Sequence, residues 1–66
     1  MLATYVKPTR METTVDGYEF ELKKDGKYEV MLYNGEFWVV VYDGWYTHPL
    51  CTVESSYYKN NFYVEG

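Results

Sequence analysis

Four dipeptides of one kind, Asp16-Gly17, Asp25-Gly26, Asn34-Gly35 and Asp43-Gly44, follow one another in nine-residue steps. Asn, Asp and Gly tolerate the positive φ that tight hairpin turns require, so each dipeptide between alternating apolar residues signals a hairpin. Four such turns predict five consecutive antiparallel strands, at about 9–15, 18–23, 27–33, 36–42 and 45–50. Leu2 to Val6 reads as one more strand, ended by Pro8. The step is too short for a solenoid repeat and marks a meander of equal strands.

Parity then sets the faces, because a one-residue slip sends every side chain to the other side of a sheet. A two-residue loop at Asp16-Gly17 pairs Val15 with Tyr18, Thr13 with Phe20 and Met11 with Leu22, leaving Glu12, Thr14, Glu19 and Glu21 outside. A two-residue loop at Asp25-Gly26 would put Glu19 and Glu21 on the face of Val30 and Leu32. A three-residue loop, Lys24-Asp25-Gly26, with Gly26 left-handed in a bulge, restores an apolar face. Leu22 then meets Tyr28, Phe20 meets Val30 and Tyr18 meets Leu32. Tight turns at Asn34-Gly35 and Asp43-Gly44 carry that face through Phe37, Val39 and Val41 to Tyr46, His48 and Leu50.

One apolar sheet face needs a cover, and no long helical pattern is present to provide it. The fold expected is all-β: an antiparallel five- to six-stranded meander curled into a small SH3-like barrel. Near the C-terminus two readings stay open, a short helix over Thr52 to Lys59 capped by Thr52, or a hairpin over Tyr57 to Val64 turning at Asn60-Asn61. In both, Phe62 and Val64 lie by the N-terminal strand.

The same register assigns the outer face. Glu12, Glu21 and Glu29 fall in one row across three strands, with Glu19 beside them, although like charges opposed on a sheet repel. Further along, Met31 lies opposite Trp38, Tyr33 opposite Glu36, Tyr42 opposite Trp45 and Val40 opposite Thr47, with Pro49 beside Trp38. Met31, Tyr33, Trp38, Val40, Tyr42 and Trp45 together form a larger apolar patch than a monomer usually exposes, rich in residue types found at interface centres. The expected site is this patch with Glu12, Glu19, Glu21 and Glu29, and the expected partner is a protein with a basic surface. A cover formed by the C-terminal segment, with Tyr57, Tyr58, Phe62 and Tyr63, is the structural alternative.

Charge narrows the function classes. The 66-residue chain carries a net charge of −4 and has a pI near 4.7, which disfavours general affinity for nucleic acid or an anionic membrane. Lys7, Arg10, Lys23, Lys24 and Lys27 flank alternate turns and so share one pole, where an oligonucleotide contact beside Tyr42 and Trp45 is the minor reading. Single Cys51 leaves no intramolecular disulfide, and the run Phe37 to Val41 is too short to span a bilayer, so a cytoplasmic protein is expected.

Chemistry is sparse. His48 falls on the core face and reads as a hydrogen-bonded structural histidine. Cys51, three residues on, would point to the opposite face and reads as a small buried hydrophobe. Glu12, Glu21 and Glu29 could pair as acids, but on a convex face without a pocket they make a poor catalytic dyad. The expectation is therefore a non-enzymatic protein-binding module without cofactor or metal. A small acidic chain of this kind suits an inhibitor from a phage or other mobile element that mimics the charge of DNA. The alternatives are a homodimeric assembly protein using the aromatic face, and a single-strand oligonucleotide-binding barrel.

Overall fold

The computed structural model describes residues 1–64. In chain order its elements are β1 (Leu2–Tyr5), β2 (Arg10–Thr13), β3 (Glu19–Leu22), β4 (Lys27–Tyr33), β5 (Glu36–Tyr42), β6 (Thr47–Thr52), α1 (Ser56–Asn61) and β7 (Phe62–Val64). They build a five-stranded antiparallel sheet in the order β6-β5-β4-β1-β7 and a separate two-stranded ribbon of β2 and β3. The fold is all-β as expected, with one short helix. The simple meander is not observed, and the sheet does not close into a barrel: β6 and β7 are its two edges.

The β4–β5 hairpin follows its sequence signal. Asn34 and Gly35 both take positive φ, 48° and 81°, and Tyr33 pairs with Glu36, Leu32 with Phe37, Met31 with Trp38 and Val30 with Val39. These are the pairs that the dipeptide and the alternation dictate.

The third turn departs from expectation. Asp25, not Gly26, is left-handed, at φ 66°. Gly26 is required for space instead: a Cβ there would lie 2.9 Å from the Lys23 carbonyl oxygen and 3.0 Å from the Tyr28 hydroxyl. The turn is also tied to β1, since Asp25 N–H donates to the Tyr5 carbonyl at 2.7 Å and Tyr5 N–H to the Gly26 carbonyl at 3.0 Å. β1 thereby takes the edge of β4 that β3 was expected to fill, pairing Leu2 with Glu29, Ala3 with Tyr28 and Thr4 with Lys27. Ala3 and Tyr5 are fully buried by this insertion.

Ribbon register is also shifted by one residue from the expected one. Thr13 pairs with Glu19, Glu12 with Phe20, Met11 with Glu21 and Arg10 with Leu22, because the loop holds three residues, closed by Thr14 N–H donating to the Tyr18 carbonyl. Phe20 and Leu22 still face the core, while Met11 and Val15 become exposed. The inner face therefore carries Arg10 and Glu12, which pair with α1 side chains.

Between β5 and β6, Tyr42 pairs with Thr47, Val41 with His48 and Val40 with Pro49, two residues away from the expected register, and Trp45 lies in the turn rather than opposite Tyr42. A bulge then makes Leu50 the extra residue, so Val39 meets Cys51. A proline in an edge strand can offer no N–H to a ladder, and bulges gather at such places. The bulge turns two consecutive residues, Leu50 and Cys51, into the core, and puts Cys51 on the same face as His48 instead of the opposite one.

Phe20 and Leu22 of the ribbon pack with Ala3, Tyr5, Val39, Val41, Leu50, Cys51, Tyr58 and Phe62 in a single core. Tyr58 and Phe62 stack at 5.4 Å, and Phe62 meets Tyr5 edge-on at 5.7 Å. Of the two readings for the tail, the helix forms. Its cap is Ser55, whose Oγ accepts from Tyr58 N–H at 3.1 Å, not Thr52. As expected, β7 lies by the N-terminal strand, with Phe62 opposite Tyr5.

Candidate functional site

The row of acids does not form. Glu12 is on the ribbon's inner face, where Tyr57 Oη donates to its Oε1 at 2.6 Å and Arg10 Nη2 stands at 3.3 Å. That Tyr57 bond is the main reason its carboxyl sits below the ordinary value of 4.5. Arg10 also donates to the Tyr5 and Tyr57 hydroxyls at 2.8 and 2.9 Å and lies over both rings. Glu12 and Arg10 thus fasten the ribbon to β1 and α1. Glu19 and Glu21 stay exposed on the ribbon's other face, and Glu29 stands alone of the four on the main sheet, opposite Leu2 and Val40.

The cationic pole is partly realised. Lys24 N–H donates to Thr9 Oγ1 at 2.9 Å, which brings the Lys7 and Lys24 turns together, but Arg10 is committed to its aromatic cluster.

Met31, Tyr33, Trp38, Val40 and Tyr42 share one face of the main sheet, which is concave, while Trp45 lies beyond it in the turn. Tyr33 and Thr47 lie beside opposite ends of β5, six residues apart along it at about 3.3 Å each, yet their hydroxyl oxygens are 2.9 Å apart. Two such side chains cannot bridge a flat sheet over that span. The sheet must coil sharply toward this face, and Val40 beneath the bridge is only 4% exposed. A groove of about 500 Å³ results, lined by Lys27, Glu29, Met31, Val40, Tyr42 and Thr47.

The predicted anchors separate accordingly. Val40 is floor, Trp38 is half-buried, Tyr33 is held by Thr47 and Met31 is partly exposed, while Tyr42 and Trp45 are 68% and 86% exposed. Of the residues expected on the core face or its edge, Leu32 and Phe37, paired next to the Asn34-Gly35 turn, are 62% and 48% exposed. Tyr46 and Val15, at 71% and 67% exposed, join Tyr42 and Trp45 outside. The helix and β7 do not cover this end.

These side chains sit on two turns held by one imidazole. His48 Nδ1 is 2.7 Å from Asp16 Oδ2, and its Nε2 is 2.7 Å from Asp43 Oδ2. Ionised carboxylates only accept, so both nitrogens carry protons and the ring is an imidazolium. Its pKa is raised, first by Asp43 and then by Asp16. The ring also stacks on Tyr18 at 4.2 Å. Asp43 Oδ1 accepts from the N–H groups of Trp45 and Tyr46 at 2.8 and 2.7 Å, and with the His48 bond as the largest cause its pKa falls to about 2. A histidine five residues after the aspartate of an Asp-Gly turn was the available signal for this clasp. Its second carboxylate, 32 positions away, had none.

Elsewhere, Cys51 is buried, and burial pushes its thiol up to about 11. No cluster of three potential metal ligands occurs among the described residues, and no helix among them is long and apolar enough to cross a membrane. No protein family, curated protein or solved structure matches the chain.

Proposed function

We propose that the protein is a non-enzymatic protein-binding module that docks a basic partner through the end of the molecule carrying Tyr42 and Trp45. One observation carries the reading: two large aromatic side chains stand 68% and 86% exposed beside a turn already ordered by Asp43 and His48. Aromatic anchors on a rigid support lose little freedom on binding, which is the condition under which a few residues dominate affinity. The groove behind Tyr42, floored by Val40 and walled by Met31, accepts an apolar side chain of the partner.

Net charge of −4 supports the basic partner, as do Glu19, Glu29 and Glu36, exposed acids with no ion pair among the described residues. With the acids dispersed, charge acts as a steering field. An inhibitor from a phage or mobile element, working in a cytoplasm, is one form such a module takes, and overall acidity is its support. The non-enzymatic part rests on His48, whose nitrogens are both occupied, and on the buried thiol. The SH3-like part of the architecture belongs to the same proposal: a coiled sheet with a ribbon packed on it resembles that barrel with its seam open, and the likeness carries no function.

The test is capture from the native host's lysate, wild type beside a Tyr42→Ala, Trp45→Ala double variant shown to melt like wild type. A protein retained by wild type, released by added salt and lost with the double variant is expected, since each anchor contributes about 2 kcal/mol or more. An unchanged capture profile would refute the site. Self-association removed by the same two substitutions would assign the face to a second copy of the chain.

A further inference from the structure

The ribbon has an open side. Among the described residues β3 pairs only with β2. Because Thr14 N–H donates to the Tyr18 carbonyl, the residues in phase with that pair, Phe20 and Leu22, direct their backbone groups to β2. Glu19 and Glu21 direct theirs away. Among the described residues no partner is found for the N–H or C=O of either, and the next N–H in phase, that of Lys23, is taken by the Tyr28 hydroxyl at 2.9 Å. The edge is therefore one short segment with a defined stop.

We propose that the free edge of β3 is a strand-addition site for an extended segment of a partner protein with cationic side chains at alternate positions. Strand addition satisfies the main-chain groups of both partners and reads every second side chain. Glu19 and Glu21 are exposed on one face of β3, about 7 Å apart, which is the spacing of alternate residues on an added strand. Among the described residues the ion pair found for either is that of Lys23, whose Nζ is 4.0 Å from Glu21 with both side chains more than half exposed, a weak competitor. The same charges reject a second copy: two β3 strands pairing antiparallel through this edge would set Glu19 against Glu21 of the other chain twice. Glu19 and Glu21 stand on β3 and Tyr42 and Trp45 at the end of β5 and the turn after it, so different substitutions address the two surfaces.

The full ¹⁵N-labelled chain is titrated with a capped hexapeptide of alternating Lys and Val, a Glu/Val counterpart, and a Lys/Val peptide N-methylated at its bonding amides. The Lys/Val peptide alone is expected to slow amide exchange at Glu19 and Glu21 by about tenfold or more. Equal effects from the Glu/Val or N-methylated peptide, or full protection of both amides in the free monomer, would overturn the proposal. A second measurement needs no peptide. Glu21→Lys makes the edge self-complementary, so sedimentation should show dimers that wild type lacks at equal concentration. A folded Glu21→Lys variant that sediments like wild type would also overturn it.

Discussion

Tyr57→Phe removes one hydroxyl and tests the register of the whole ribbon. The hydroxyl donates to Glu12 at 2.6 Å and accepts from Arg10 at 2.9 Å, while the ring under the guanidinium, 5.7 Å away, remains. Hydrogen bonds to charged groups contribute about 1.5–3 kcal/mol when buried. Here the side chains of Arg10 and Glu12 are 40% and 26% exposed, so solvent reduces the pair of bonds to about 1–2 kcal/mol in total. For a domain of this size that lowers the melting temperature by roughly 5–15 °C. The assay is urea unfolding of wild type, Tyr57→Phe, Glu12→Gln and the double variant. A coupling energy of about 1 kcal/mol between the two positions is expected. With Glu12 on the outward face, as in the unshifted register, the two substitutions would add within about 0.3 kcal/mol, and that result would refute the packing described. Acid supplies a second readout. Glu12 titrates below its ordinary 4.5 when folded, so its contribution is present above that value and lost as pH falls through the lowered one. Tyr57→Phe should shrink that loss.

Two further outcomes are expected. His48, raised above its ordinary 6.5, contributes stability that is complete below that pH and is lost as pH rises through the raised value. Asp43, depressed from 3.8 to about 2, contributes above 3.8 and loses its contribution as pH falls through about 2. Denaturation midpoints should therefore peak between roughly pH 4 and 6.5, and His48→Gln should flatten the alkaline limb; an unchanged limb would contradict the clasp. Cys51, with its thiol near 11 and buried, should react with a thiol reagent at neutral pH only as the protein unfolds, and rapid labelling of the native chain would contradict its burial.

The hairpin from Lys27 to Tyr42 was legible in its pairing because Asn34-Gly35 demands the turn and alternation then sets each pair. Burial along it was not, since Leu32 and Phe37 of the core-side row are 62% and 48% exposed and Val40 of the outer row is 4% exposed. The ribbon and third turn were not legible. Val15, Asp16 and Gly17 make a three-residue loop as readily as Asp16-Gly17 makes a two-residue one, and Met11 exposed with Glu12 inside violates the alternation. What compensates is a set of partners, Arg10, Tyr5 and Tyr57, up to 47 positions away. The candidate site divides the same way. That Met31, Tyr33, Trp38, Val40 and Tyr42 share a sheet face followed from parity; which of them meet solvent did not.

An all-β chain, the Asn34-Gly35 hairpin, the division of β4 and β5 side chains between two faces, and an acidic molecule with spare aromatic surface all follow from the sequence alone. These depend on backbone sterics and on a side-chain period of two, which act within a few residues. Long-range packing sets β1 beside β4 in place of β3, coils the sheet until Tyr33 reaches Thr47, and joins two distant turns through His48. Each of these is a competition among long-range partners for the same edge, face or proton, and the outcome depends on the combined burial and hydrogen bonding of segments that no local pattern links.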